Sequence, residues 1–136
     1  MLVFDSTLVG DYLDGAAEAR TFLERHEHEA WAVPSLVLYE ALMGCVHGSV
    51  GGSPSTVRQA ITTSMDVLPV TERTAHEAAS LQDELLARGV PADHPSALVA
   101  ATAREHGGTF ATADRDFWSD SVRAVVPVAA YDPAKA

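Results

Sequence analysis

Apolar residues in this chain come in short runs separated by stretches of helical periodicity, and that alternation limits the folds open to it. Met1 to Phe4 is one such run, ending on Asp5. Trp31-Ala32-Val33, Val67-Leu68-Pro69-Val70 and Phe110-Ala111-Thr112 are three more, and Val122 to Val128 is a fifth candidate. Runs of this length between turn signals read as buried strands. Ser6 and Thr7 are suited to cap a helix running to about Gly15. Ala19, Phe22, Leu23, His26 and Ala30 recur at helical spacing and predict an amphipathic helix from Ala19 to Ala30. Further helices are expected from Leu36 to Val46, from Thr56 to Ser64, from Thr71 to Arg88 with Gly89 behind it, and from Ser96 to His106 before Gly107-Gly108. In the fifth of these, Ala75, Ala78, Ala79, Gln82, Leu85 and Leu86 share a face. Strands alternating with helices require crossover connections, hence an α/β/α sandwich around a central, mostly parallel sheet of four to five strands.

With 136 residues, 47 % of them apolar and 21 % charged, residues 1–136 form one globular domain on this reading. The flexible stretch from His47 to Ser55 is too short and too central to be a linker, and is read as a surface loop. No apolar run approaches the ~20 residues of a membrane helix. The start, Met1-Leu2-Val3-Phe4-Asp5, has no basic segment ahead of its apolar stretch, so no secretory leader is expected and the cytoplasm is the expected location. Cys45 is the only cysteine, which excludes an internal disulfide and Cys-rich zinc sites.

The formal net charge of −10 runs against the basic surface usual for nucleic-acid binders. It is compatible with a nuclease that works through metal ions, because such an enzyme needs carboxylates and the cation meets the phosphate. Lys135 is the only lysine against eight arginines, a bias that suits a GC-rich genome or a high-salt cytoplasm.

In open parallel sheets ligands bind beyond the carboxyl ends of the strands. Asp5 stands at the end of the first strand and Asp114 just after the fourth. Glu40 is the only charge between Ala32 and Met43, and Asp93 lies in the loop before the helix that leads into the fourth strand. Several acids brought from distant positions to one sheet edge suit a hard divalent cation and metal-assisted phosphodiester hydrolysis. Taken singly, each has a plainer reading. Asp5 can cap the first helix, Glu40 can be a solvated helix residue, and Asp114 and Asp116 can be turn residues. The apolar neighbours of Glu40 make solvation its weaker reading. His26 and His28 do not form the HExxH zinc pattern, and Gly48-Ser49-Val50-Gly51-Gly52 lacks the Lys and the preceding strand of a phosphate loop. Trp31 and Trp118 read as core or rim aromatics.

Four segments, in order and spacing, resemble the PIN-domain family and its VapC-like toxin ribonucleases. Phe4-Asp5-Ser6-Thr7 is similar to the opening strand with its metal-binding Asp. Pro34-Ser35-Leu36-Val37-Leu38-Tyr39-Glu40 is similar to the helix that presents a Glu. Ala97 to Ala103 with Gly107-Gly108, and Phe110-Ala111-Thr112-Ala113-Asp114-Arg115-Asp116-Phe117, are similar to the C-terminal signature. The resemblance implies an endoribonuclease dependent on Mg²⁺ or Mn²⁺, with Asp5, Glu40 and Asp114 as catalytic and metal-binding acids. It makes Ser6, Thr112 and Asp116 supporting residues, and it implies an RNA substrate, a cognate antitoxin protein and a homodimer. One position departs: the family has Asp where this chain has Ser96. Asp93, one helical turn earlier, is the candidate to replace that acid in metal binding and catalysis, with Ser96 supporting. The competing reading is a PIN-like domain that has lost catalysis and binds RNA or a protein. A phospho-accepting receiver domain would need a lysine near a late strand, which Lys135 cannot supply.

Overall fold

The structure, a computed structural model, describes residues 1–135. Strand β1 (Leu2–Phe4) runs into helix α1 (Ser6–Asp14), followed by α2 (Ala17–Glu24) and β2 (Trp31–Pro34). Then come α3 (Ser35–His47), α4 (Pro54–Ser64), β3 (Asp66–Leu68), α5 (Glu72–Ala87) and α6 (His94–Glu105). Strand β4 (Thr109–Thr112), a 3₁₀ turn (Arg115–Phe117), α7 (Asp120–Arg123) and β5 (Val128–Ala130) complete the described elements. All five strands are parallel and lie in one sheet in the order β3-β2-β1-β4-β5. The chain therefore builds outward from β1 to β2 and β3, crosses over, and adds β4 and β5 on the other side. That reversal opens a crevice between the carboxyl ends of β1 and β4.

The central strand is completely buried, with Leu2, Val3 and Phe4 all at 0 % exposure, as expected for a strand covered on both faces. Helix α6 presents Ala97, Ala100, Ala101 and Ala103 to the interior, and these small side chains let its backbone approach closely. Helix α5 packs antiparallel against α6. Thr74 at its start donates to Glu105, and Gln82 further along pairs with the backbone of Ala92. No described helix is long and apolar enough to cross a membrane.

Several boundaries differ from the sequence reading. The helix expected to reach Ala30 stops at Glu24, because the carbonyl of His26 is taken by the Trp31 indole N–H at 3.0 Å and the chain turns there. The strand expected over Val122–Val128 is displaced. Ser119 accepts from the backbone N–H of Val122 and starts α7, so the strand begins only after Pro127, whose carbonyl receives the Phe110 amide. On α5 the buried positions are Thr74, Ala78, Leu81 and Leu85. Ala75, Ala79 and Leu86 line a surface groove instead, with Leu86 61 % exposed. Helix α6 starts two residues earlier than expected, since Asp93 caps it and Pro95 fits in the first turn, where no intrahelical N–H is required.

Close packing at the start of β4 depends on Gly108. A Cβ there would come within 2.9 Å of Val3 and 3.1 Å of the Met1 carbonyl, so the two central strands could not keep their spacing. Gly10, inside α1, has open space around its Cα. Gly108→Ala is expected to destabilise the fold by about 1–3 kcal/mol. Gly10→Ala is expected to stabilise it by about 0.5–1 kcal/mol through helix propensity alone. Urea unfolding of the two variants beside wild type measures both signs.

Candidate active site

Asp5 leaves β1 at the crevice and is only 8 % exposed. One carboxylate oxygen accepts from the Leu8 amide at 2.8 Å and so caps α1. The other accepts from the Ala113 amide at 2.8 Å, just past the end of β4. Its own amide donates to the Ala111 carbonyl at 3.0 Å. The capping role read from the sequence is therefore real, and it is joined to a second role at the crevice. Thr112, also buried, accepts from the Asp114 amide at 3.0 Å, and its hydroxyl acts to lower the pKa of the Asp5 carboxyl. Asp114 in turn accepts from the Asp116 amide at 3.0 Å and holds the 3₁₀ turn.

Around this point lies a cavity of about 280 Å³ whose lining includes Asp5, Ser6, Thr7, Glu40, Ser96, Thr112 and Asp114. Its walls are completed by apolar side chains, among them Val37, Val99 and Phe117, and by no arginine, lysine or histidine. Glu40 reaches the cavity from α3 yet is exposed, which corrects the expectation that its apolar neighbours would bury it: those neighbours occupy other faces of the helix. Its side chain makes no hydrogen bond or ion pair among the described residues. Asp93 and Asp116 do not line this cavity. They meet Ser96 and Asp114 in a smaller adjoining hollow of about 70 Å³. Both oxygens of Asp93 are engaged by Ser96, one by its amide at 2.8 Å and one by its hydroxyl at 3.0 Å. Asp93 thus borders the site through Ser96. Sequence reasoning did not find the Ala113 amide, because a backbone donor leaves no signature in residue identity.

The acids influence one another. Burial pushes the Asp5 carboxyl above its ordinary value, against the lowering by Leu8, Ala113 and Thr112, and Asp114 adds to the rise. Glu40 is also raised, first by desolvation and then by the charges of Asp5 and Asp93. Asp93 is lowered by the two hydrogen bonds from Ser96. As placed, no group of three or more Asp, Glu, His or Cys among the described residues could hold one ion by direct contact alone. The donor set nonetheless fits a hard cation, since Asp5, Glu40 and Asp114 face one cavity with hydroxyls and no basic partner. Mg²⁺ keeps several waters and is commonly bound through one or two carboxylates.

Residues 2–119 match the PIN domain family. The chain belongs to that family. This PIN domain is similar over its full length to a toxin–antitoxin complex chain from Klebsiella pneumoniae, at 20 % identity and a TM-score of 0.76, with 100 % of each chain covered. It is similar to a chain of VapBC2 from Rickettsia felis bound to a promoter DNA fragment, at 14 % identity and a TM-score of 0.72, covering 96 % of this chain and 98 % of that one. FitAcB from Neisseria gonorrhoeae gives 20 % identity and a TM-score of 0.70, with 98 % and 99 % covered. At these identities the likeness establishes the shared fold. No curated protein matches the chain significantly.

The two cavity acids are expected to respond differently to neutralisation. Asp5→Asn keeps one acceptor but sets an NH₂ group against a backbone N–H, so it should destabilise the fold by about 1–3 kcal/mol. Glu40→Gln breaks no hydrogen bond and should not destabilise. A carboxyl raised in the fold contributes stability that is fully present below its unfolded value and lost as pH rises through the folded value. Metal-free stability should therefore decline as pH climbs upward from 3.8 for Asp5 and from 4.5 for Glu40. Asp93 works the other way, its contribution being lost as pH falls below 3.8. Thermal unfolding in EDTA across this range should show a shallower decline for Glu40→Gln than for wild type.

Proposed function

We propose that this PIN domain is a metal-dependent endoribonuclease that hydrolyses RNA phosphodiester bonds, and that it is the toxin of a toxin–antitoxin pair. The observation that carries the reading is the cavity at the switch point of the sheet, where three carboxylates from separate elements line one space and no basic side chain of the described residues lines it with them. Asp5, Glu40 and Asp114 would hold Mg²⁺ or Mn²⁺, and such an ion neutralises phosphate charge and lowers the pKa of bound water. Asp5 is fixed by two amides, one of them from Ala113, the neighbour of Asp114. Glu40, exposed and with no hydrogen bond among the described residues, has free oxygens to hold the ion and to accept a hydrogen bond from an attacking water. Ser6, Thr7 and Thr112 supply hydroxyls to the cavity lining, and Val99 and Phe117 narrow the water space. Asp116 supports through the turn it forms with Asp114.

Ser96 stands on the cavity where the family resemblance calls for an acid, and Asp93 lies behind it. In this reading Asp93 acts through the Ser96 hydroxyl. Asn is as good a helix cap as Asp, so Asp93→Asn removes charge while leaving α6 capped. The expected result is that wild type cleaves single-stranded RNA with Mn²⁺ and Asp93→Asn cuts at least about tenfold more slowly. Ser96→Asp should raise Mn²⁺ affinity, read as a larger Mn²⁺-dependent increase in Tm. The absence of three acids within direct reach of one ion favours a second reading, a domain that binds without cutting. RNA binding with no Mn²⁺-dependent cleavage by wild type, and cleavage gained by Ser96→Asp, would establish that alternative.

The Klebsiella pneumoniae protein of like fold comes from a toxin–antitoxin complex, and this chain exposes apolar residues on α3 that suit a protein partner. Tyr39 is 58 % and Val46 65 % exposed, with Leu42 and Met43 half-buried beside them. The proposed occupants are a cognate antitoxin and the second subunit of a homodimer. Val46→Glu is expected to weaken self-association or antitoxin binding without lowering Tm. Sedimentation with and without the product of an adjacent gene checks this, and a wild-type monomer indifferent to that product would sink it.

A further inference from the structure

A polyanion approaching the cavity meets acids first, and the chain has few cations to offset them. Most of the arginines are engaged or placed on other elements. Arg104 is held by Glu77, Glu84 and the Val125 carbonyl. Arg123 donates to the carbonyls of Trp118 and Val128, and Arg20 to that of Gly15. Arg25 lies over the Phe22 ring. Arg58, Arg73 and Arg88 belong to α4, α5 and the end of α5.

Arg115 differs. It follows Asp114 directly, its side chain is 72 % exposed, and its one ion pair, with Asp132, is a loose 3.5 Å contact. The guanidinium nonetheless rests on an aromatic face, lying 4.6 Å from the centre of the Trp118 ring. That indole is itself fixed, since its N–H donates at 2.9 Å to the carbonyl of Thr112, the residue whose side chain lines the carboxylate cavity. Thr112, Trp118 and Arg115 thus form a chain of contacts leading outward from the site to a planar, exposed cation. A pair as long as Arg115–Asp132, with its guanidinium exposed, is readily exchanged for a phosphate. Arginine planes serve single-stranded RNA both as phosphate donors and as stacking surfaces.

We propose that Arg115, laid on Trp118, holds the backbone of single-stranded RNA beside the carboxylate cavity and so acts as the substrate-positioning residue of this PIN domain. The inference rests on the ribonuclease reading above. The test is the binding of a short fluorescein-labelled single-stranded RNA of mixed sequence to the full chain in EDTA, read by anisotropy over a salt series. Arg115→Ala should weaken binding about tenfold at low salt. It should also reduce the magnitude of the log–log salt slope by about 0.7, the loss of one phosphate contact. Arg115→Lys should restore the slope but only part of the affinity, because the stacking plane is gone. Arg73→Ala, which removes the same charge from the α5 surface, should bind like wild type. With Mn²⁺, Arg115→Ala should raise KM more than it lowers kcat. A wild type that binds and cleaves RNA, with Arg115→Ala matching it in affinity and slope, would overturn this inference and leave the nuclease reading intact. A wild type that neither binds nor cleaves RNA would overturn both.

Discussion

One carboxylate joins the two halves of this molecule. Asp5 accepts the amide of Leu8 on its own side of the sheet and the amide of Ala113 on the other, tying together the two sides of the crevice that the reversal of strand order opens. Both amides end unsatisfied if the side chain is lost, and a buried unpaired donor costs more than an average hydrogen bond contributes. The cap of the first helix, the exit of β4 and the position of Thr112 all follow from this contact. Two donors do not exhaust the carboxylate, which has roughly four lone-pair sites. The same group can therefore be structural and still face the cavity.

Charge is distributed unevenly around that point. Asp5 is pushed towards protonation by burial and by Asp114, and Glu40 by partial desolvation and the charges of Asp5 and Asp93, while Asp93, one layer out, is drawn towards ionisation by Ser96. The gradient places the most strained negative charge inside and the most comfortable one at the rim. On the proposed function, cations complete the site, in the cavity as a metal and at its edge as the arginine on its indole plane. A strongly acidic chain is no obstacle to such an arrangement when the attraction is concentrated at one place.

Much of the architecture was legible because buried parallel strands and covering helices write two different periods into the sequence. Leu2–Phe4 and Trp31–Pro34 emerge where apolar runs indicate them, and the Thr71 to Arg88 segment is a helix as its pattern requires. The failures have local causes. Val122–Val128 carries enough valine to suggest a strand, but Ser119 caps a helical turn and Pro127 removes a donor. Ala75, Ala79 and Leu86 fit one helical face on paper, yet packing against α6 selected the adjacent one. Among the candidate acids, Asp5 and Asp114 meet at the cavity because strand ends are predictable places, and Glu40 joins them from the helix that follows β2. Whether Asp93 faced the cavity or Ser96 was not legible, since it depended on which residue became the helix cap. The exposure of Glu40 was masked by its neighbours, whose apolar side chains serve other contacts of α3.

The contact between Asp5 and Ala113 spans 108 residues. Interactions so far apart along the chain form late, after the entropy of closing the intervening loops has been met by other contacts. During synthesis the first three strands and the α3 glutamate can collapse while β4 is still absent, and at that stage there is no crevice and no Asp114. Any fragment that ends before Asp114 carries Asp5 and Glu40 without the amide and the turn that complete their surroundings. Chemistry that depends on the assembled cavity is thus withheld from the growing chain by topology alone, and begins only when nearly all of the described chain has been threaded into place.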